Sequence, residues 1–131
     1  MEVHQDSSSF VKIVVSNLSL EDDEYEVRVL IETATGENIG MASTGGFTSK
    51  GFKFSKLDKN ARLSIDITHL ASGIYYARVQ IIRNSDKKTT VDIRSESFEY
   101  ISPTLSGEAY NLHYTWGFGY TRFPIVIDTA D

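Results

Sequence analysis

Apolar residues at every second position are the feature that most constrains this chain. Between residues 25 and 31 the apolar side chains of Tyr25, Val27, Val29 and Ile31 occupy every second position. Successive side chains of a β-strand point to opposite faces, so this period of two indicates a strand with one buried face. A turn over residues 35–38 precedes further alternation, which predicts a β-hairpin.

The same pattern recurs along the chain at short intervals. Strands are predicted over residues 10–15, around residues 52–54, over 63–67 and 74–82, and in one or two pieces over 90–101. In the strand over 74–82, we expect four side chains to face inward: Tyr75, Ala77, Val79 and Ile81. About seven short strands with no helical period predict an all-β chain that folds as an antiparallel β-sandwich.

The segment from Leu70 to Tyr75 has the spacing of a tyrosine corner. In that motif, a tyrosine hydroxyl donates a hydrogen bond to a backbone carbonyl a few residues upstream and so fixes a strand crossover. The predicted role of Tyr75 is therefore structural.

The predicted β-sandwich core covers residues 10–101, which leaves a segment at each end. Residues 1–9 carry Glu2 and Asp6 and no apolar centre, so we expect a flexible N-terminal tether. Residues 102–131 are rich in aromatic side chains at alternate positions and form a C-terminal extension, in which we expect an added strand. The acidic run over residues 21–24 is expected in a solvated loop.

Residues able to support catalysis or metal binding are sparse. There is no cysteine, and the three histidines, His4, His69 and His113, are far apart in sequence. Neither a nucleophile elbow nor a phosphate-binding loop is present, so we expect no enzyme activity, no metal and no cofactor. A net charge of −5 without a basic cluster argues against nucleic-acid binding. The apolar runs are much shorter than the roughly 20 residues that span a bilayer.

Two places combine aromatic rings with hydrogen-bonding side chains, as carbohydrate sites do. One is the outward face of the strand over 74–82, with Tyr76, Arg78 and Gln80, joined by Arg28 of another strand. The second place is the C-terminal extension, with Tyr114 and Trp116. Both patterns have a structural alternative: an ordinary solvated sheet face in the first case, and packing on the core or on a partner subunit in the second.

The order of these features resembles a known family. The residues that carry the resemblance are the strand over 25–32 with its turn at Thr35–Ile39, the strand over 63–67, the segment Leu70–Tyr75, and the strand over 92–101 with Phe98. Over roughly residues 10–101 the chain is similar to the C-terminal carbohydrate-binding domain of the ATPase subunit of O-antigen polysaccharide ABC transporters, the Wzt type.

This resemblance implies that the sandwich is of the immunoglobulin-like type. It further implies a non-catalytic module that recognises the end of a lipid-linked polysaccharide, the O-antigen of lipopolysaccharide, for export. It also implies a homodimer in the cytoplasm, peripheral to the inner membrane, with an ATPase domain and a membrane transporter subunit as partners in the full-length protein. The alternatives are a C-terminal sorting domain of secretion cargo, suggested by residues 63–79, and a fibronectin-like adhesion or spacer module. The sorting alternative is weakened by the fifty-two residues after Val79 and by the missing Asn-Pro opening.

Overall fold

The structure is a computed structural model that describes residues 1–5, 10–44, 51–67 and 70–101. The described residues form nine β-strands and no helix. The strands are β1 (Glu2–Gln5), β2 (Phe10–Val15), β3 (Asp23–Glu32), β4 (Asn38–Ser43), β5 (Phe52–Phe54), β6 (Ala61–Asp66), β7 (Gly73–Arg83), β8 (Thr89–Arg94) and β9 (Phe98–Tyr100). Within the described part, there is accordingly no helix long and apolar enough to cross a membrane.

The strands pair antiparallel in two sheets. The smaller sheet has the order β1-β2-β6. In the larger sheet, β3 and β7 lie at the centre, paired over the eight positions from Tyr25↔Arg83 to Glu32↔Tyr76. β4 and β5 share the outer edge of β3, while β8 and β9 share the outer edge of β7. The all-β sandwich predicted from the sequence is confirmed.

The core consists of the inward side chains of β2, β3 and β7. Tyr75, Ala77, Val79 and Ile81 of β7 are all fully buried, as the alternation predicts. Val11 and Ile13 of β2 are equally buried and belong to the same apolar cluster. Burial of apolar side chains from both sheets is the main force that holds them together.

Buried tyrosines fix the loops that enter the larger sheet. The Tyr75 hydroxyl donates to the backbone carbonyl of Ala71 at 2.7 Å, so the predicted tyrosine corner is confirmed. Tyr25 makes the same contact with the carbonyl four residues upstream, that of Glu21, at 3.0 Å. Tyr100 donates to the carbonyl of Ile67 at 2.8 Å. Each hydroxyl thus joins a core ring to the backbone of a connecting segment.

The prediction of a flexible tether over residues 1–9 is wrong for Glu2–Gln5, which form β1. This strand pairs with β2 from Glu2↔Val14 to Gln5↔Val11, and Val3 packs partly buried against the core. The unpaired edge of β2 supplies backbone partners, so a segment with little apolar content is still held in the sheet. The Gln5 side chain also donates to the carbonyl of Ile101 at 3.0 Å and accepts from its N–H at 3.1 Å.

The acidic run is also more structured than the solvated loop expected from its composition. Asp23 and Glu24 are the first residues of β3. The Glu24 carboxylate accepts a hydrogen bond from the backbone N–H of Gly51 at 2.8 Å, and Asp22 accepts one from that of Lys56 at 2.7 Å. These carboxylates serve as backbone partners for the segment around β5, which explains why acidic residues are tolerated there.

Candidate functional site

The structure brings four of the six predicted site residues onto one outward surface. β3 and β7 pair so that Arg28 lies opposite Gln80 and Leu30 lies opposite Arg78. Tyr76 precedes them on the same face of β7, opposite Glu32. We call this surface the arginine face, and define it by the residues Glu26, Arg28, Glu32, Tyr76, Arg78, Gln80, Asp92 and Arg94.

At the centre of the arginine face, Arg78 is fixed by Asp92 of β8. Its Nε and Nη2 donate to the two carboxylate oxygens, each at 2.7 Å, in a bidentate ion pair. The hydrogen bonds from Arg78 hold the pKa of Asp92 below its usual range, and a longer bond from Gln80 acts in the same direction. The same pairing raises the pKa of Arg78. Both groups are therefore charged at neutral pH and held in one plane.

A second cluster lies at the β3 and β4 side of this face. The Glu26 carboxylate accepts a hydrogen bond from the Ser43 hydroxyl at 2.8 Å and is paired with Arg28 at 3.0 Å. The Ser43 bond is the largest influence that lowers the pKa of Glu26, and Arg28 adds to it against the opposing effect of burial. Arg28 is thus held by a carboxylate of its own strand.

The third cluster contains the aromatic ring. The guanidinium carbon of Arg94 lies 3.9 Å from the centroid of the Tyr76 ring, in a cation–π contact. Its Nε also donates to the carboxylate of Glu32 at 3.3 Å, and the Glu32 side chain is only 8% exposed. One face of the Tyr76 ring is therefore occupied by Arg94, and a ligand that approaches from that side meets the guanidinium first.

Sequence reasoning missed four residues of this face: Glu26, Glu32, Asp92 and Arg94. Asp92 and Arg94 reach the face through the pairing of β7 with β8, in which Arg78 lies opposite Arg94 and Gln80 lies opposite Asp92. Glu26 and Glu32 reach it through the pairing of β3 with β7. For Asp92 and Arg94, the signal in the sequence is the alternation of charge on β8, where the two residues share one face. Pairing register cannot be obtained from that signal alone.

A groove lies on another side of the sandwich, between β6 and the edge formed by β4 and β5. Three adjoining cavities of about 250, 310 and 200 Å³ lie along it. Val27, Val29 and Ile31 of β3 contribute to its lining, with Leu63 and Ile65 of β6 opposite. The groove is mostly apolar. It is separate from the arginine face, because alternate side chains of β3 point to opposite faces of the sheet and the two surfaces use different sets of them.

The other two predicted site residues, Tyr114 and Trp116, lie outside the described residues, as does the whole C-terminal extension. His69 and His113 also lie outside the described residues. Among the residues that the structure does describe, no group of three or more histidines and carboxylates is placed to hold a metal ion.

The fold and the arginine face together define an all-β sandwich with a polar, partly aromatic sheet surface. Comparison with solved structures finds the same fold in a protein described as "Crystal structure of the C-terminal domain of wzt". The similarity covers 92% of this chain and 68% of that one, with a TM-score of 0.57 and 17% sequence identity. The resemblance predicted from the sequence is thereby confirmed at the level of the fold. No family model and no curated protein matches the chain.

Proposed function

We propose that this domain is a non-catalytic carbohydrate-binding module that recognises the end of a lipid-linked polysaccharide, an O-antigen, for export by an ABC transporter. The observation that carries the proposal is the arginine face, which places Tyr76 among fixed guanidinium and carboxylate groups on a sandwich similar in fold to the C-terminal domain of wzt. The ATPase domain and the membrane transporter subunit belong to the same proposal, and they would place the domain in the cytoplasm at the inner membrane.

The chemistry of the arginine face suits sugars. A sugar hydroxyl both donates and accepts a hydrogen bond, so it needs acceptors and donors side by side. Arg78 and Asp92 provide one of each, already oriented by two 2.7 Å bonds, so little side-chain entropy is lost when a ligand binds. The Tyr76 and Arg94 pair adds a flat surface against which a sugar ring packs.

The test is a titration of the domain with the cell-surface polysaccharide of the source organism and with an unrelated polysaccharide. Binding is measured by calorimetry and by the fluorescence of Trp116. We expect saturable binding to the first polysaccharide alone. Absence of binding to both, up to about a millimolar, would contradict the proposal, since an affinity of about −4 kcal/mol is still detectable there. That outcome favours a sorting or spacer module.

Three variants locate the site. Tyr76→Ala and Trp116→Ala are expected to weaken binding while leaving the domain folded, because each removes a ring proposed to contact the sugar. Leu57→Ala is the control, since Leu57 is 83% exposed in the turn before β6 and lies outside both proposed places. Unchanged binding in the first two variants would exclude both the arginine face and the C-terminal extension as the carbohydrate site.

We also propose that the domain forms a homodimer in which the C-terminal extension pairs as a strand with a second copy. Deletion of residues 105–131 is then expected to give monomers or insoluble protein, because it removes the pairing strand and leaves the surface that the strand covers exposed. Size-exclusion chromatography with light scattering measures the outcome. A soluble dimer after the deletion would contradict this arrangement.

A further inference from the structure

We infer that the ligand of the arginine face is an uncharged glycan, recognised by three ion pairs that are already neutralised within the protein. The inference rests on the proposed function and specifies the chemical class of its ligand. It follows from the charges of this face, from their geometry and from the hydrogen-bonding capacity that remains.

The arginine face carries three positive and three negative side chains, and each arginine is paired with one carboxylate. The closest distances are 3.0 Å for Arg28 with Glu26, 2.7 Å for Arg78 with Asp92, and 3.3 Å for Arg94 with Glu32. The net charge of the face is therefore zero. A site built for an acidic sugar needs an arginine or lysine whose charge is not already compensated, since charge complementarity is what distinguishes such a ligand.

The geometry makes re-pairing with an anionic ligand costly. For Arg78 to bind an external anion through Nε and Nη2, it must give up two 2.7 Å bonds to Asp92. It would also leave Asp92 as an unpaired negative charge beside that anion. Arg94 is constrained in the same way, because Glu32 is almost completely buried and lacks the water that would compensate a lost partner.

A neutral glycan avoids both costs. A guanidinium has five N–H donors, and Asp92 engages only the Nε and Nη2 side of Arg78. Its Nη1 group donates to one sugar hydroxyl while the carboxylate, with lone pairs to spare, accepts from the neighbouring hydroxyl. A vicinal pair of hydroxyls thus matches the Arg78 and Asp92 pair without breaking it.

The first test immobilises the domain and measures its binding to neutral glucans, mannans and galactans, and to acidic polyuronates and phosphate-bearing glycans. We expect saturable binding only among the neutral glycans, with less than about a twofold change in Kd between low and high salt, since neutral ligands are not screened. Preference for an acidic glycan, with affinity that falls about tenfold in high salt, would overturn the inference while leaving the proposed function intact. Failure to bind any glycan would contradict the proposed function itself, and the inference with it.

The second test changes the charge of the arginine face by substituting one member of the Arg78 and Asp92 ion pair at a time. Asp92→Asn leaves Arg78 with an uncompensated charge, so we expect neutral glycans to bind about tenfold more weakly and acidic glycans to gain measurable binding. Arg78→Gln leaves the opposite charge, so neutral binding should fall with no gain for acidic glycans. Asp86→Asn is the matched control, because Asp86 is half exposed in a turn, 3.6 Å from Arg83 and outside the arginine face, and the substitution changes net charge equally.

Thermal unfolding checks that each variant is folded before binding is compared. If Asp86→Asn alters glycan preference as much as Asp92→Asn does, net charge rather than the paired face determines selectivity and the inference is wrong. If neither Asp92→Asn nor Arg78→Gln changes neutral binding, the pair does not contact the ligand and the inference is equally wrong.

Discussion

Replacement of Tyr75 by Phe removes one oxygen atom and tests how much the tyrosine corner contributes to stability. The Tyr75 ring is fully buried and so is Ala71, whose carbonyl accepts the 2.7 Å bond. Without the hydroxyl, a buried carbonyl loses this partner, which costs about 1–3 kcal/mol of the free energy of unfolding. An unfolding entropy of about 2.1 cal/mol/K per residue converts each kcal/mol into roughly 4 °C of Tm for 131 residues.

Tyr25→Phe is the matched control. Tyr25 is also fully buried, and its hydroxyl also donates to the carbonyl four residues upstream, at 3.0 Å. Its acceptor belongs to Glu21, which is exposed, so water replaces the lost donor and the expected cost is only about 1 kcal/mol. Urea denaturation and differential scanning calorimetry on both variants measure the difference. Equal losses, or a larger loss for Tyr25→Phe, would refute the argument that burial of the acceptor sets the cost.

Two further predictions concern the charged face and the first strand. The free energy of unfolding should fall as the pH is lowered from about 5 to about 3, because the pKa values of Asp92 and Glu26 are lowered in the folded state and the unfolded chain therefore binds more protons in that range. Denaturant titrations at several pH values measure this free energy, and for Asp92→Asn it should change less steeply with pH. The same steepness in the variant and the unsubstituted protein would contradict the linkage. Deletion of residues 1–5 should lower Tm, because it removes both the pairing of β1 with β2 and the hydrogen bonds between Gln5 and Ile101. Gln5→Ala should lower Tm less, because it removes only the hydrogen bonds. An unchanged Tm after the deletion would mean that β1 contributes nothing to stability.

Most of the architecture follows from the period-two pattern because that pattern reflects burial on one face. β2 begins and ends at the predicted residues, Phe10 and Val15, and the inward residues of β7 are those predicted. β1 was missed because Val3 is the one apolar residue within a four-residue strand, and four residues give no periodicity. Its formation depends on the available edge of β2, which is a tertiary effect that local sequence does not encode.

The candidate site was predictable only in part, for a related reason. Alternation places Tyr76, Arg78 and Gln80 on one face of β7, and this required no knowledge of other strands. The partners that give those side chains their chemistry, Asp92 and Arg94, come from β8, whose register shifts between Ile81 and Ile82 of β7. From the sequence alone, a charged residue on a strand is expected to face solvent. The pairing of the strands is needed to show that it is an ion-pair partner.

The contact between Gln5 and Ile101 has a consequence for the order in which the chain acquires its structure. These residues are 96 positions apart, and their paired hydrogen bonds join the first strand to the residue that follows the last described strand. During synthesis, β1 emerges from the ribosome before β9, yet this contact waits until residue 101 has emerged. Domains dominated by such distant pairings fold in about milliseconds to seconds. The first and last described strands are therefore expected to be joined late, after the central pairing of β3 with β7 has formed.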